Sequence, residues 1–431
     1  MEQGGTFTAL SSIAFGLAFT LVLATPFIEM TGVLTSDQKL WRIYAYGLLS
    51  VAQITLAIFR GWRRSLQVLN TPVLFFLSWC VLSLSWTQGF ELTAKRLILL
   101  IIVYCAVFNG VCDIGAKRSL NVMRLILAAI LVMNFIMVFS VPEIGRHVAP
   151  AIGLWRGLMA NKNIAGMLCA VTIIMFVFDS IKVPAAIRVS VICASLVFFY
   201  EAWSKTTWIS LPIALASGAL ILILQRYQSS LLASQRYIVR GTQILTAAFV
   251  LGLLIATLQQ DAFLSLTEDT TAVTMRAAIW RPMIQFYLAH PVLGSGYGAY
   301  WDPATNLFAP TAAKAGIWKD VDQGHNGYLD LLVQVGLPGL ALALYAAIVW
   351  PISELSSIMV RQPRRTALIV SLVVFVLIEN LSESSLFADD SIGNVILLVA
   401  LAQVHRIGLR SESRKRIAYR ARRTQKQADL R

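Results

Sequence analysis

Six residues of this sequence lie beside apolar runs and have side chains that could do chemistry together. They are five cations and one histidine: Arg156, Lys162, Lys205, Arg276, Arg281 and His325. Charged groups next to membrane-spanning segments are costly, so such residues are expected to have a function. A cavity lined by these cations favours an anionic ligand, and the guanidinium fork of Arg156 or Arg276 suits phosphate oxygens.

His325 is the residue best placed to transfer a proton. Together with Asn326 it precedes a mostly apolar run, 329–350, which predicts an imidazole on the first turn of a helix at a membrane surface, with Asn326 as N-cap. A helix N-terminus carries roughly half a positive charge, and this favours the neutral imidazole that a general base requires. The alternative is a loop histidine hydrogen-bonded to Asp320 or Asp322. The spacing of these three residues matches no recognised metal site, so no metal is expected.

The other charged residues each have a plainer interpretation. Arg156 and Lys162 could anchor a helix end by extending to lipid headgroups, and Arg281 could simply face water. Lys205 lies at a predicted helix start, where its charge opposes the helix dipole. Such a local conflict is typical of a functional site. Near a later helix end, three polar residues could pair with the cations or merely end the helix: Glu379, Ser382 and Glu383.

The composition indicates an integral membrane protein. Of the 431 residues 57% are hydrophobic and only 13% are charged, and the mean hydropathy is +0.70; a soluble protein of this size needs more polar surface. Runs long enough to cross a bilayer as helices recur along the sequence. They predict twelve spans: 8–28, 41–59, 68–86, 95–111, 120–141, 160–179, 183–200, 207–225, 241–260, 326–350, 365–381 and 391–407.

The positive charges of the connections set the orientation. Alternate connections hold two or more Lys or Arg residues, whereas acids offset the cations of the others, so both termini are expected in the cytoplasm. The sequence then divides into a membrane bundle (1–260), an external loop (261–325), a second bundle (326–408) and a basic cytoplasmic tail (409–431). Beside a membrane span such a tail indicates topology and contact with anionic lipid rather than nucleic-acid binding.

The long external loop is expected to be structured. Four apolar residues fall on one face of a predicted helix: Ala277, Trp280, Ile284 and Leu288. Pro282 should bend or restart this helix because it removes a backbone donor. Gly294 and Gly296 in HPVLGSGYG then allow a tight turn.

These motifs together resemble a known family. Arg276, Trp280, HPVLGSGYG and the later HNGYLDLLVQVGLPGL are similar to the O-antigen ligase and exopolysaccharide polymerase superfamily. The segments RGLMANKN (156–163) and SKTTW (204–208) are closest to its branch of exopolysaccharide production proteins. The resemblance extends from about residue 156 to the last span.

The resemblance implies an all-α fold similar to that of the C-type glycosyltransferases, with about twelve membrane helices and one long structured periplasmic loop. It further implies an inverting, metal-independent and cofactor-free transfer of glycan from undecaprenyl pyrophosphate at the periplasmic face of the bacterial inner membrane, during exopolysaccharide biosynthesis. In this scheme Arg276 contacts pyrophosphate and His325 is the catalytic base. Lys205 stands where many ligases have arginine and is expected to bind substrate. The lysine keeps the charge and loses the bidentate fork. Arg156, Lys162 and Asn326 are further candidates for substrate binding, chosen from their positions in the sequence.

Two other functions remain open on the sequence. The acceptor could be a lipid A core, as in an O-antigen ligase, rather than a second carrier-linked chain. A flippase of lipid-linked glycan is less consistent with the sequence, because transporters use polar residues within the membrane and often repeated halves. The expected partners are the lipid-linked glycan, membrane lipid and other proteins of polysaccharide assembly and export.

Overall fold

The computed structural model describes most of the chain. The described residues are 2–30, 38–59, 61, 66, 68–147, 153–178, 183–224, 237, 240, 241, 243–246, 248, 251, 252, 275–302, 321, 323–356 and 362–409. Within them the regular secondary structure is helical, apart from a single antiparallel bridge between Arg146 and Trp155. The all-α prediction is therefore confirmed.

The described residues define the bounds of thirteen α-helices, and the residues described between 237 and 252 are helical as well. The first seven are α1 (Glu2–Met30), α2 (Gln38–Phe59), α3 (Thr71–Leu82), α4 (Phe90–Ile114), α5 (Ala116–Ser140), α6 (Pro142–Gly145) and α7 (Lys162–Val177). The others are α8 (Ala185–Ala202), α9 (Lys205–Leu224), α10 (Met275–Ala289), α11 (Gly327–Leu344), α12 (Pro363–Glu379) and α13 (Ile392–Leu409). Helix α11 continues through a π-helical turn, Tyr345–Val349, to Ser356.

Seven of the described helices are long and apolar enough to cross a membrane. They are α2, α4, α5, α8, α9, α11 with its extension, and α13. Shorter apolar helices cover Thr8–Ala24, Thr71–Ser85 and Lys162–Val177. The integral membrane class is confirmed, whereas the count of twelve spans and the external position of the long loop stay predictions. Most of the predicted ninth span, 241–260, lies outside the described residues.

The helices bury one continuous apolar core and leave apolar side chains at the periphery. Helix α12 packs along α9, where Gly218 lies against Ser371 and Phe178 and so permits a close approach. At the periphery, Leu48 of α2 and Leu125 of α5 are each 72% exposed. In a membrane protein such surfaces face lipid, which is as apolar as the side chains themselves.

Helix α11 is broken at Gly336, which has φ 65° and ψ −175°. The peptide groups freed by the break find partners in the loop that follows α10. Ser295 and Gly296 donate their backbone N–H groups to the carbonyls of Val333 and Gln334, both at 2.9 Å. Because Pro338 has no N–H to give to Gln334, Gly296 supplies the donor that the helix lacks. Irregular backbone at membrane depth is tolerated only where protein satisfies it in this way.

Three further hydrogen bonds stabilise the backbone around the break in α11. The backbone N–H of Leu337 donates to the Pro291 carbonyl at 2.9 Å, and the indole of Trp79 on α3 donates to the Val335 carbonyl at 2.8 Å. The Gln334 side chain accepts from the Gly298 N–H at 2.7 Å. The glycine-rich loop is thus docked into the break of α11.

Helix α10 corrects one prediction about the long loop. It runs through Pro282 without a restart, and its most buried face is centred on Ile279, Met283 and Tyr287. Trp280, which was predicted on the buried face, lies at its edge, where its indole donates to the Gly324 carbonyl at 2.8 Å. The side chain of Ala277 lies outside the described residues.

Candidate functional site

A cavity of about 520 Å³ opens among the predicted outer ends of α2, α4, α7 and α11. Segments 297–301 and 383–393 complete its wall. Its polar and charged lining residues are Arg42, Arg96, Asn161, Tyr297, Trp301, Gln323, Asp330, Gln334, Glu383, Ser384, Ser385, Asp389, Asp390 and Ser391. This volume falls within the range of about 300–1,000 Å³ that is usual for small-molecule sites.

His325 lies at the edge of this cavity, beside Glu383. It has a left-handed backbone, φ 49°, and precedes the N-cap Asn326, so it stands before the first turn of α11 and not on it as predicted. The predicted cap itself is confirmed, because the Asn326 side chain accepts from the N–H groups of Tyr328 and Leu329. The imidazole is 36% exposed, with its Nδ1 atom 3.8 Å from Glu383 Oε2. At this distance the two groups are not hydrogen-bonded, and Nδ1 has no hydrogen-bond partner among the described residues. The nearby carboxylate can still stabilise by its charge the imidazolium that forms when the ring takes up a proton.

Glu383 is held in place by two helix ends. Its Oε1 atom accepts from the Asn163 side chain of α7 at 2.8 Å, and its backbone carbonyl accepts from the N–H of Gly327 at 2.9 Å. A Cβ at Gly327 would meet Asn380, so the segment after α12 lies directly against the start of α11. The carboxylate next to His325 therefore belongs to a fixed part of the fold.

Asp330 joins the segments on either side of His325. It is 5% exposed and accepts from the Trp301 indole at 2.7 Å and from the Gly324 N–H at 3.0 Å. Its second oxygen also accepts from the hydroxyl of Ser384, and that hydroxyl accepts from the Asn326 N–H at 3.1 Å. A buried carboxylate with this many donors is a structural centre, which fixes the backbone around His325.

The predicted cations form a second group on the other side of segment 382–384. Lys205 is the first residue of α9 and is exposed, and its charge repels that of Lys162. The Lys162 ammonium donates to the Trp203 carbonyl at 3.2 Å, and its backbone N–H donates to Nε2 of His147 at 3.0 Å. Burial lowers the pKa of His147, and the charges of Arg156 and Lys162 lower it further. His147 is consequently a neutral acceptor at the start of α7.

Arg156 is turned toward backbone rather than toward a ligand. Its Nε atom donates to the Ile144 carbonyl at 2.7 Å and its Nη1 atom to the Ala160 carbonyl at 3.5 Å. This geometry favours a structural role for Arg156 in the segment before α7 over the predicted contact with substrate. It also differs from the alternative of a side chain that extends to lipid headgroups, because the contacts are internal.

Glu379 and Ser382 connect the cation group to the histidine. Glu379 is 1% exposed and accepts from the hydroxyls of Thr207 at 3.0 Å and Ser210 at 2.7 Å. Ser382 donates to Thr206 at 2.5 Å. The start of α9, with Lys205, is thus tied to the segment that carries Glu383. Glu379 bonds to hydroxyls, and Glu383 is the member of this acidic group that faces the histidine.

Two arginines of the cavity were not selected from the sequence. Arg42 Nη1 lies 3.0 Å from Asp390 Oδ1. Arg96 Nη1 donates to the Gly298 carbonyl at 3.2 Å, and its Nε atom lies 4.0 Å from Asp389 Oδ2. Burial raises the pKa of Asp390, and the charge of Arg42 partly offsets that effect. One feature of the sequence could have pointed to these arginines: like the aspartates they pair with, they lie at predicted outer ends of membrane spans.

Three candidate residues lie wholly or partly outside the part of the chain that the structure describes. The backbone of Arg276 belongs to the first turn of α10, but its side chain is outside the description. Asp320 and Asp322 are outside it entirely. Their predicted roles stay predictions. Within the described part of the chain, no group of three or more His, Cys, Asp or Glu residues has the arrangement of a metal site.

Comparison with known proteins finds one similarity, in the central part of the chain. Residues 189–344 match the family model described as O-antigen ligase, and no curated protein matches the chain. The matched range contains Lys205, Arg276 and His325, and also the segments HPVLGSGYG and HNGYLDLLVQVGLPGL. Glu383 and the ion pairs of the cavity lie outside it. The match bears out the predicted resemblance to the O-antigen ligase superfamily over residues 189–344. It does not distinguish the exopolysaccharide branch from the ligases.

Proposed function

We propose that this protein transfers a glycan from a polyprenyl pyrophosphate carrier to a sugar hydroxyl at the outer face of the bacterial inner membrane, in the assembly of an exopolysaccharide. The carrier is expected to be undecaprenyl pyrophosphate, and the acceptor a second carrier-linked chain. The family match supports a polymerase or ligase of lipid-linked glycans. Both termini are then cytoplasmic, and the long loop is periplasmic.

The observation that carries this proposal is the position of the His325–Glu383 pair. It lies between an exposed, positively charged group that includes Lys205 and a polar cavity of about 520 Å³. A transferase that joins an anionic donor to a hydroxyl acceptor needs cations for the donor, space for the acceptor and a base between the two. A lipid-linked pyrophosphate can lie with its phosphates against the cations and its first sugar near the imidazole.

The reaction is a single displacement that His325 assists as general base. The acceptor hydroxyl attacks the anomeric carbon, its proton passes to the imidazole, and the bond from that carbon to the pyrophosphate oxygen breaks with inversion. Lys205, together with Arg276, stabilises the charge that grows on the leaving group. Glu383 stabilises the imidazolium by its charge from 3.8 Å. A small rotation of the ring on substrate binding would bring the two groups into the hydrogen bond of a catalytic triad. No metal takes part in this scheme.

The test uses the full-length protein in lipid nanodiscs with carrier-linked oligosaccharide as the only substrate. Chain length is followed by mass spectrometry and released polyprenyl pyrophosphate by chromatography. Because a positioned base contributes about 10²–10⁴-fold, His325→Ala should lower turnover by at least a hundredfold. Glu383→Gln should lower it by a smaller factor and change its pH profile. His290→Ala is the matched control, since His290 is exposed and stacks on Phe286 of the same loop.

The outcomes separate the candidate reactions. Chain lengthening identifies a polymerase, whereas product that forms only after a lipid A core is added identifies a ligase. Turnover of the His325→Ala protein at the wild-type rate would remove this residue from the mechanism. If the wild-type protein binds the donor yet releases no pyrophosphate with either acceptor, the transferase assignment is wrong.

A further inference from the structure

The cavity beside His325 has a charge balance unlike that of the cation group. Its described lining residues include two arginines, Arg42 and Arg96, against four acids: Asp330, Glu383, Asp389 and Asp390. A wall with this excess of carboxylates repels pyrophosphate, which carries at least two negative charges. The phosphates of a donor therefore belong with Lys162 and Lys205, and the cavity needs a different occupant.

The two arginines are held within the wall. Arg42 directs one guanidinium nitrogen at both oxygens of Asp390, at 3.0 and 3.3 Å, while Arg96 contacts the Gly298 carbonyl and lies near Asp389. Their side chains are only 12% and 17% exposed. An arginine paired in this way keeps some N–H groups for a neutral partner but has no unopposed charge for a phosphate.

The rest of the lining supplies hydrogen-bonding groups of both kinds. Amide side chains come from three elements, and a row of hydroxyls comes from the segment after α12: Asn161, Gln323, Gln334, Ser384, Ser385 and Ser391. A neighbouring apolar wall contains Ile164, Leu331 and Leu386. A mixture of donors and acceptors beside apolar surface complements a sugar ring, whose hydroxyls both donate and accept and whose C–H faces are apolar.

We propose that this cavity is the acceptor subsite and that it selects an uncharged sugar residue over a uronic acid. The inference rests on the proposed function, because it requires that the His325–Glu383 pair activates the hydroxyl of a bound sugar. Glu383 both lines the cavity and faces the imidazole, so a sugar in the cavity presents its hydroxyl to the base. A carboxylate on that sugar finds the charges of both arginines already offset by Asp389 and Asp390, and the excess of carboxylates in the wall repels it.

A binding experiment tests this selectivity without any turnover. Lipid-linked oligosaccharides are extracted from the cells that produce this protein, and the glycans are released from the carrier with mild acid and fractionated. A neutral fraction is divided in two. One half is left unchanged, and in the other the primary hydroxyls are oxidised to carboxylates. Equilibrium binding of both forms to the full-length protein in nanodiscs is then measured, with polyprenyl pyrophosphate as a separate probe. We expect the oxidised glycan to bind at least tenfold more weakly than the neutral one.

Variants connect this preference to the cavity. Arg96→Gln should weaken binding of the neutral glycan at least tenfold and leave the affinity for polyprenyl pyrophosphate unchanged. Lys95→Gln is the matched control, because Lys95 precedes Arg96 on α4 but pairs with the exposed Glu91. Asp389→Asn combined with Asp390→Asn should narrow the difference between the neutral and the oxidised glycan. The thermal midpoint of each variant verifies that it is folded. If a variant does not fold, the comparison of neutral and oxidised glycan on the wild-type protein still tests the proposal.

Three results would overturn the inference. They are tighter binding of the oxidised glycan, loss of polyprenyl pyrophosphate binding in the Arg96→Gln protein with glycan binding intact, and no saturable binding of any neutral fraction. The proposed function fails in a different way, through absence of turnover in a wild-type protein that binds both probes. The two failures are therefore distinguishable.

Discussion

Replacement of Gly336 by alanine tests whether the docking of the glycine-rich loop into α11 positions the proposed active site. Gly336 has φ 65° and ψ −175°, a region that is essentially restricted to glycine. In addition, a Cβ at this position would overlap the carbonyl group of Val292. The variant must either strain the backbone or expel the loop from the break in the helix.

The free energy of either response can be estimated. A residue held in a disallowed region of this kind costs of order 1–3 kcal/mol. Expulsion of the loop instead loses the three backbone hydrogen bonds that Ser295, Gly296 and Leu337 donate, and each is worth about 0.5–1.5 kcal/mol. The first route costs about 1–3 kcal/mol and the second, for three bonds, about 1.5–4.5 kcal/mol, so we expect a loss of about 2 kcal/mol. At about 2 °C per kcal/mol, the apparent thermal midpoint should fall by about 4 °C.

The assay combines thermal unfolding in detergent with turnover in nanodiscs. Gly241→Ala is the control, because an added Cβ there meets no atom within 4 Å and its backbone is not left-handed. At Gly294, which has φ 64°, a Cβ would lie 2.7 Å from the carbonyl oxygen of Gln334, in the same interface. The double variant Gly294→Ala/Gly336→Ala should therefore lose less stability than the two single losses added together, because one expulsion relieves both clashes.

Two results would refute this reasoning. If Gly336→Ala unfolds and turns over like the Gly241→Ala protein, the break in α11 is not maintained by the loop. If instead the Gly294 and Gly336 substitutions are fully additive, they act at separate places. If Gly336→Ala lowers stability and leaves turnover unchanged, the contact between the glycine-rich loop and α11 has only a structural role.

Three further substitutions probe the surroundings of the histidine. Asn326→Ala removes the N-cap of α11 and should cost about 1 kcal/mol, measured as a lower thermal midpoint that Asn326→Asp restores; equal midpoints for both would contradict the capping role. Glu379→Leu leaves the hydroxyls of Thr207 and Ser210 without their acceptor and should cost about 2 kcal/mol or more, whereas Glu379→Gln costs less. Lys205→Gln should raise the KM for the lipid-linked donor about tenfold, with KM restored by Lys205→Arg; a change in kcat alone would place the lysine elsewhere in the mechanism.

The helices of the fold follow from local sequence. Runs of apolar residues predicted eleven segments that coincide with described helices, since the length and hydropathy of a span are properties of the span itself. Asn326 as a cap was predictable for the same reason, because capping depends on the next three residues. The resemblance to the O-antigen ligase superfamily was also visible in the sequence, because its motifs occupy short continuous stretches.

The break in α11 was not predictable from its own sequence. The run 326–350 was predicted as one uninterrupted span, and Gly336 and Pro338 alone do not require a break, because glycine and proline also occur in intact membrane helices. The break exists because the glycine-rich loop supplies donors to the freed carbonyls. That partner lies about forty residues earlier, beyond the reach of periodicity arguments.

The ion pairs of the cavity were missed for a related reason. Arg42 and Asp390 are separated by 348 residues, and each taken alone is an ordinary charge at the end of a span. Sequence analysis could assign both to the outer face from the distribution of charges. Only the packing of α2 against the segment after α12 shows that they face one another and line the same space.

The backbone of His325 connects these observations. A non-glycine residue at φ 49° is strained, and strain persists only where the surroundings fix the residue from several sides. Here the following residue caps α11, Asp330 holds the Gly324 N–H, and Ser384 accepts from the Asn326 N–H. The fold thus fixes the backbone of His325 with its imidazole beside Glu383, and this fixed position supports the proposed transfer of a proton from a bound hydroxyl.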